Sequence, residues 1–207
     1  MTTENPLPAR GRAPKTAPRG DAWQLMRPVV LVGMPGCGKS AVGAALARRL
    51  CAPFRDSDAE IVAAANLGIA EIFDRWGEDF FREKEAQVLA RLLEGAPCVL
   101  STGGGAFLRP GNRALIAERG IAVWLKADLE LLWERVRRKE TRPLLRVPDP
   151  RARLAELYDE RVPVYAQAGL TVESEAGVSV ATMAARVARA LAEHPGGVLV
   201  QKAKDEA

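Results

Sequence analysis

The segment Gly33-Met-Pro-Gly-Cys-Gly-Lys-Ser40 constrains the fold more than any other stretch of the chain. It fits G-x-x-x-x-G-K-[ST] in full, between the apolar run Val29–Val32 and a helical pattern over Lys39–Leu50. In that helix Val42, Ala45, Leu46 and Leu50 share one face. A strand–loop–helix unit of this kind turns successive backbone N–H groups toward one anion and adds the dipole of a helix N-terminus. Gly33, Gly36 and Gly38 give the backbone its freedom, Lys39 reaches toward the β- and γ-phosphates, and the Ser40 hydroxyl is placed for Mg²⁺. The motif therefore points to a nucleotide and is silent about any phosphoryl acceptor. Cys37 reads as a small loop filler, since no neighbouring base could make it a nucleophile.

The rest of the chain alternates in the same way. Extended pieces are expected at Val29–Val32, Pro53–Asp56, Cys98–Ser101, Ile121–Leu125 and Leu170–Glu173. Helical patterns cover roughly 59–66, 69–76, 78–95, 111–119, 128–138, 151–167 and 178–193. Such alternation means an α/β fold with a parallel sheet covered on both faces. The domain is expected over 28–193, with a disordered extension at 1–27 and a frayed tail at 194–207.

Charge narrows the function classes. The net charge is +4, but Arg10, Arg12, Lys15, Arg19 and Arg27 against Glu4 and Asp21 place three of those charges in the first 27 residues. The basic balance thus belongs largely to the extension and makes no case for nucleic acid as a partner. No apolar stretch approaches the roughly 20 residues that span a bilayer, so no membrane role is expected. Cys37, Cys51 and Cys98 show no C-x-x-C spacing and, with one histidine, assemble no zinc set. A reduced, cytoplasmic setting and a monomer follow as expectations. Trp23, Trp76, Trp124 and Trp133 read as packing residues.

A second group of candidates stands where strands end. Asp56 and Asp58 flank Ser57, and in an extended chain residues two apart face the same way. Both carboxylates then face the mouth of the phosphate loop, one for the metal shell and one for an acceptor hydroxyl; an Asp-rich turn with Asp58 capping the next helix reads equally well. In the 78–95 helix, Phe81, Val88, Leu89 and Leu92 form the apolar stripe. Arg82 and Glu85 are i, i+3 neighbours there, either a fixed guanidinium for a carboxylate or a solvated surface pair. Ser101-Thr102-Gly103-Gly104-Gly105 follows the third extended piece and permits close backbone approach to a ligand. Arg137, Arg138, Lys139 and Arg142 precede a proline-punctuated segment that reads as a lid or as a basic solvated loop. Arg161, in Glu160-Arg-Val-Pro-Val-Tyr165, is a second candidate guanidinium for an anionic substrate.

Taken together, G-x-x-G-x-G-K-S at 33–40, D-S-D at 56–58, F-R-E-K-E at 81–85, G-G-G at 103–105, R-P-L-L at 142–145 and E-R-V-P-V-Y at 160–165 resemble the shikimate kinases, from about Val29 to Arg189. The resemblance implies a P-loop NTPase fold like that of nucleoside monophosphate kinases, with a five-stranded parallel sheet and a lid. It places ATP on Gly36, Cys37, Gly38, Lys39, Ser40 and Ala41, with Arg142 on the phosphates. Mg²⁺ would lie on Ser40 with Asp56 in or near its shell. Asp58 matches the position that binds the acceptor hydroxyls, and Arg82 and Arg161 match those that grip the shikimate carboxylate, with Gly104 contributing backbone. Lys39, Asp58 and Arg142 would carry the catalysis. After the last strand the chain reads Ser174-Glu175-Ala176-Gly177, where the family often has a basic or polar residue on the adenine side.

Overall fold

The computed structural model describes residues 23–137 and 147–201. In chain order it runs β1 (Trp23–Leu25), β2 (Val29–Val32), α1 (Lys39–Leu50), β3 (Phe54–Asp56), α2 (Ser57–Ala65), α3 (Ile69–Glu94) and β4 (Val99–Ser101). A 3₁₀ turn (Ala106–Leu108) leads to α4 (Pro110–Arg119), β5 (Ile121–Lys126), α5 (Leu129–Val136), α6 (Pro150–Tyr165), β6 (Leu170–Glu173), α7 (Val180–Glu193) and β7 (Leu199–Gln201). The main sheet has five parallel strands in the order β3-β4-β2-β5-β6.

Burial explains this order. All four residues of β2 are buried, which suits a strand paired on both sides and covered on both faces. Its neighbour β5 is buried over Ile121–Leu125. The helices close the faces with amphipathic stripes: α1 buries Val42, Leu46, Ala47 and Leu50, and α7 buries Met183, Ala184, Val187, Ala188 and Leu191. The Val, Leu and Met side chains among these contribute roughly 1.5–3 kcal/mol each. A second, smaller core of Ile61, Ile72 and Phe81, with Phe73 and Phe80 packed against it, holds α2 to α3 apart from the sheet.

Register aligns the strand ends. Asp56 is paired with Ser101, and Ser101 with Leu31, so β3, β4 and β2 finish side by side. Ligands of open parallel sheets collect at this edge. The α3 helix is interrupted where the sequence pattern separates 69–76 from 78–95: Gly77 has φ 80°, ψ 176°, outside helical space.

Three expectations are revised. Helix α2 begins at Ser57, so Asp56 ends a strand while Asp58 lies in the first helical turn; the two do not share an extended segment. The cap is Asp56, whose carboxylate accepts from the N–H groups of Asp58 and Ala59. Trp76 is 48% exposed, unlike the buried Trp124. At the chain ends, residues assigned to the extension and tail form a small antiparallel sheet, with Trp23 opposite Gln201 and Leu25 opposite Leu199. Leu25, Val198 and Leu199 are buried against the main core, which is why these ends are held. The remaining tail residues, 1–22 and 202–207, lie outside the described residues.

Candidate active site

The phosphate loop is built as its glycines require. Gly36 and Gly38 have φ of 94° and 100°, left-handed backbone that side-chain-bearing residues rarely adopt, and Gly38 caps α1. The Lys39 ammonium lies within the loop, donating to the carbonyls of Gly33 at 2.8 Å and Met34 at 3.1 Å. Cys37 is buried, and the Lys39 ammonium lies 3.8 Å from its sulfur. A cation is no general base, and the reading of Cys37 as loop filler fits this setting.

Beside the loop, the Ser40 hydroxyl donates to Asp56 Oδ2 at 2.9 Å and lies 3.2 Å from Ser101 Oγ. Asp56 Oδ1 is engaged at the α2 cap. Two protein oxygens at a strand edge, rather than a cage of acids, suit Mg²⁺, which keeps several waters and takes its other ligands from phosphates. No cluster of three or more His, Cys, Asp or Glu able to hold a metal occurs among the described residues. The sequence places Ser101 at a strand end, but its position beside Ser40 is set by strand register alone.

The three glycines after β4 organise the acceptor side. A Cβ on Gly103 would stand 2.7 Å from Asp58 Oδ1 and 3.0 Å from Glu85 Oε1. One on Gly104 would stand 3.6 Å from Arg161 Nη1 and 3.4 Å from Pro35 of the phosphate loop. One on Gly105 would collide with the Arg82 guanidinium. Arg82 and Arg161, far apart in the chain, thus flank neighbouring residues of one loop, and Asp58 stands one residue further along. The loop is fixed by Thr102, which donates to the Leu31 carbonyl, and by the Gly103 N–H, which donates to Ser57 Oγ at 3.3 Å.

Of the two readings of Arg82, the solvated pair is excluded. Its guanidinium donates to Glu85 at 2.9 Å, the Glu85 side chain is 0% exposed, and Glu78 holds the outer edge at 3.0 Å. The stripe buried on this part of α3 is Phe81, Glu85, Leu89 and Leu93, so an acid takes a place where the sequence pattern put only apolar residues, and Val88 and Leu92 are half-buried. Burial lowers the Arg82 pKa, but the charge and hydrogen bond of Glu85, then those of Glu78, outweigh it and keep the guanidinium firmly charged. Arg109 also donates to the Arg82 carbonyl at 2.7 Å, anchoring the turn.

Both acids facing the glycines titrate above the usual carboxylate range. For Asp58 the cause is burial first and the charge of Asp56 second, partly offset by Lys39 and Arg82. For Glu85 it is burial first, against the pull of Arg82. Three buried side-chain atoms have no hydrogen-bond partner among the described residues: Asp58 Oδ1, Glu85 Oε1 and Arg161 Nε. The first two face Gly103, and the Arg161 guanidinium approaches Gly104 through Nη1.

On the sequence side, the shikimate kinase family matches residues 35–192. The chain belongs to the shikimate kinase family. A shikimate kinase of Ruegeria pomeroyi is 62% identical over 173 residues, covering 84% of this chain and 89% of the relative. One of Cereibacter sphaeroides is 64% identical over 172 residues, 83% of this chain and 86% of that one. Among solved structures, shikimate kinase from Acinetobacter baumannii in complex with shikimate is 38% identical with a TM-score of 0.76, over 79% of this chain and 92% of that one. The family match lies inside the β1–β7 pairing, which stands outside residues 35–192.

The shikimate kinase pattern names two further places. Arg142, with the segment 138–146, lies outside the described residues. After β6, where Ser174-Glu175-Ala176-Gly177 carries no cation of its own, Arg135 reaches across from α5 and donates to Ser174 Oγ at 3.2 Å. No sequence motif marks Arg135 for this place; it reaches a partner 39 residues away.

Proposed function

We propose that this protein transfers the terminal phosphoryl group of ATP to the 3-hydroxyl of shikimate, giving shikimate 3-phosphate and ADP for the synthesis of aromatic amino acids. The observation that carries the reading is the glycine loop bordered by Arg82, Arg161 and Asp58, with the unpartnered buried Oδ1 of Asp58 facing it. Two guanidinium groups suit a carboxylate, and a carboxylate one residue away suits a hydroxyl. A small hydroxy acid satisfies both sets at once.

Each group then has a role in phosphoryl transfer, which rests mainly on positioning and charge neutralisation. Arg82, braced by Glu85, and Arg161 hold the acceptor's carboxylate beside the Gly104 backbone. Asp58 accepts the hydrogen bond of the attacking hydroxyl, orients it and takes its proton. Lys39 leaves the loop carbonyls for the phosphate oxygens and offsets charge developing there. Ser40 and Asp56 would hold Mg²⁺, which supplies charge neutralisation on the phosphates when bound. The reading also carries a monomer acting in the cytoplasm on small molecules; among the described residues Cys37, Cys51 and Cys98 are free, and no helix is long and apolar enough to cross a membrane.

A coupled ADP-release assay with ATP-Mg²⁺ and a panel of shikimate, gluconate and nucleoside monophosphates tests the proposal. ADP formation that depends on shikimate is expected. Equal rates with gluconate, or with no acceptor, would remove the assignment.

A further inference from the structure

Tyr165 closes α6, one helical turn beyond Arg161, and its side chain is fully buried. The rings of Phe107 and Trp124 stack beside it with centroids 6.4 and 6.3 Å away. Those contacts need only an aromatic ring. The hydroxyl does something further: it donates to the backbone carbonyl of Gly104, 61 residues earlier in the chain. Burial holds the phenol well above the usual tyrosine range, against the pull of Arg161, so it remains a donor.

Residues four apart on a helix share a face, so Arg161 and Tyr165 address the same loop. Arg161 Nη1 lies 3.6 Å from where a Cβ on Gly104 would stand, and Tyr165 holds the carbonyl of that same residue. A run of three glycines has no side chains to fix it and the widest backbone freedom. Gly103 is tied on one side by Ser57 and on the other by the N–H of Ala106. Among the described residues, the backbone of Gly104 has the Tyr165 hydrogen bond alone.

We propose that Tyr165 is a positioning residue for the acceptor: its hydroxyl ties Gly104 to α6, so that the loop backbone and the Arg161 guanidinium meet the substrate's carboxylate as one rigid unit. This rests on the reading above that Gly104 and Arg161 receive that carboxylate. Without the hydroxyl, the Gly104 carbonyl has no partner, the loop drifts relative to Arg161, and carboxylate binding weakens. The nucleotide side is untouched, because the phosphate loop is held by its own turn and by α1.

Tyr165→Phe removes one oxygen and keeps the ring. The experiment measures KM and kcat for shikimate and ATP in Tyr165→Phe, Arg161→Lys and the double variant, with thermal unfolding of each. Tyr165→Phe is expected to raise KM for shikimate about tenfold, as loss of one buried hydrogen bond does. KM for ATP stays near the starting value, and the double variant loses less than the product of the single effects, as coupled groups do. An unchanged KM for shikimate in Tyr165→Phe, while Arg161→Lys raises it, overturns the tie and leaves the acceptor reading standing. An equal rise in both KM values with a lower melting temperature overturns it in favour of general loosening. An unchanged KM for shikimate in Arg161→Lys removes the acceptor reading and this inference with it.

Discussion

The guanidinium of Arg82 occupies the volume that a methyl group on Gly105 would need. Gly105 has φ −90° and ψ −20°, a backbone conformation open to any residue. The glycine is therefore required for space rather than for conformation. Gly105→Ala displaces the guanidinium while leaving the main sheet alone. KM for shikimate is expected to rise on the order of 10- to 100-fold, the range for a charged hydrogen-bonding group moved out of place. Steady-state kinetics at saturating ATP checks this, with KM for ATP as the control.

Asp58→Asn keeps the shape of the side chain and removes its basicity. A loss of roughly 10²-fold or more in kcat is expected for a general base. Pre-steady-state measurement of the chemical step, at saturating shikimate, separates this from weaker binding. Near-normal turnover would strip Asp58 of the role given to it.

Asp58 also leaves a signature in stability. Its folded pKa is raised above the unfolded value, by burial first and then by Asp56. In the window between the two values the folded chain binds more protons than the unfolded chain, so stability falls as pH rises through it. The penalty is fully present above the folded pKa and vanishes below the ordinary value of 3.8. Glu85 acts in the same sense, from its ordinary value of 4.5 upward. Urea denaturation across the acid range is expected to show Asp58→Asn stabilised relative to the natural chain at neutral pH, with the difference shrinking on acidification. A difference that grows toward low pH would reverse the sign and refute the argument.

Ser40 and Asp56 form one oxygen pair, 2.9 Å apart. Ser40→Ala is expected to raise the Mg²⁺ concentration needed for half-maximal rate by about tenfold, the loss of one direct ligand worth about 1.4 kcal/mol. Titration of activity with Mg²⁺ at fixed ATP reads this out. The KM for shikimate should not follow.

The terminal strands give a test unrelated to catalysis. Leu199 is 6% exposed and faces the core across from Leu25. Leu199→Ala is expected to cost about 2–5 kcal/mol, lowering the melting temperature by several degrees. Kinetic constants at 25 °C should hold.

Local pattern made much of this legible. The buried run Val29–Val32, the glycines after it and the stripe of α1 were all readable because each depends on neighbours in sequence. The break at Gly77 was legible for the same reason. Asp56 and Asp58 stand out in the sequence, but an extended reading puts both on one face, whereas Asp56 caps a helix that begins at Ser57. The i, i+3 spacing marks Glu85 as a partner of Arg82, but not its full burial, because an acid breaks the apolar pattern of the stripe it completes. Ser101, Arg109, Arg135 and Tyr165 act through partners 61, 27, 39 and 61 residues away. Contacts at such separations are set by sheet order and helix packing, which no local pattern encodes. The same holds for β1 and β7, whose partners stand at opposite ends of the chain.

That last pairing has a practical corollary for anyone handling the molecule. With Trp23 across from Gln201, the two described ends leave the domain side by side. A short peptide could join them into a ring, and new ends could be opened in a surface turn elsewhere, the kind of rewiring that adjacent termini tolerate. Conversely, bulky fusion partners joined directly at Trp23 and Gln201 would crowd one small ribbon and compete for the same space.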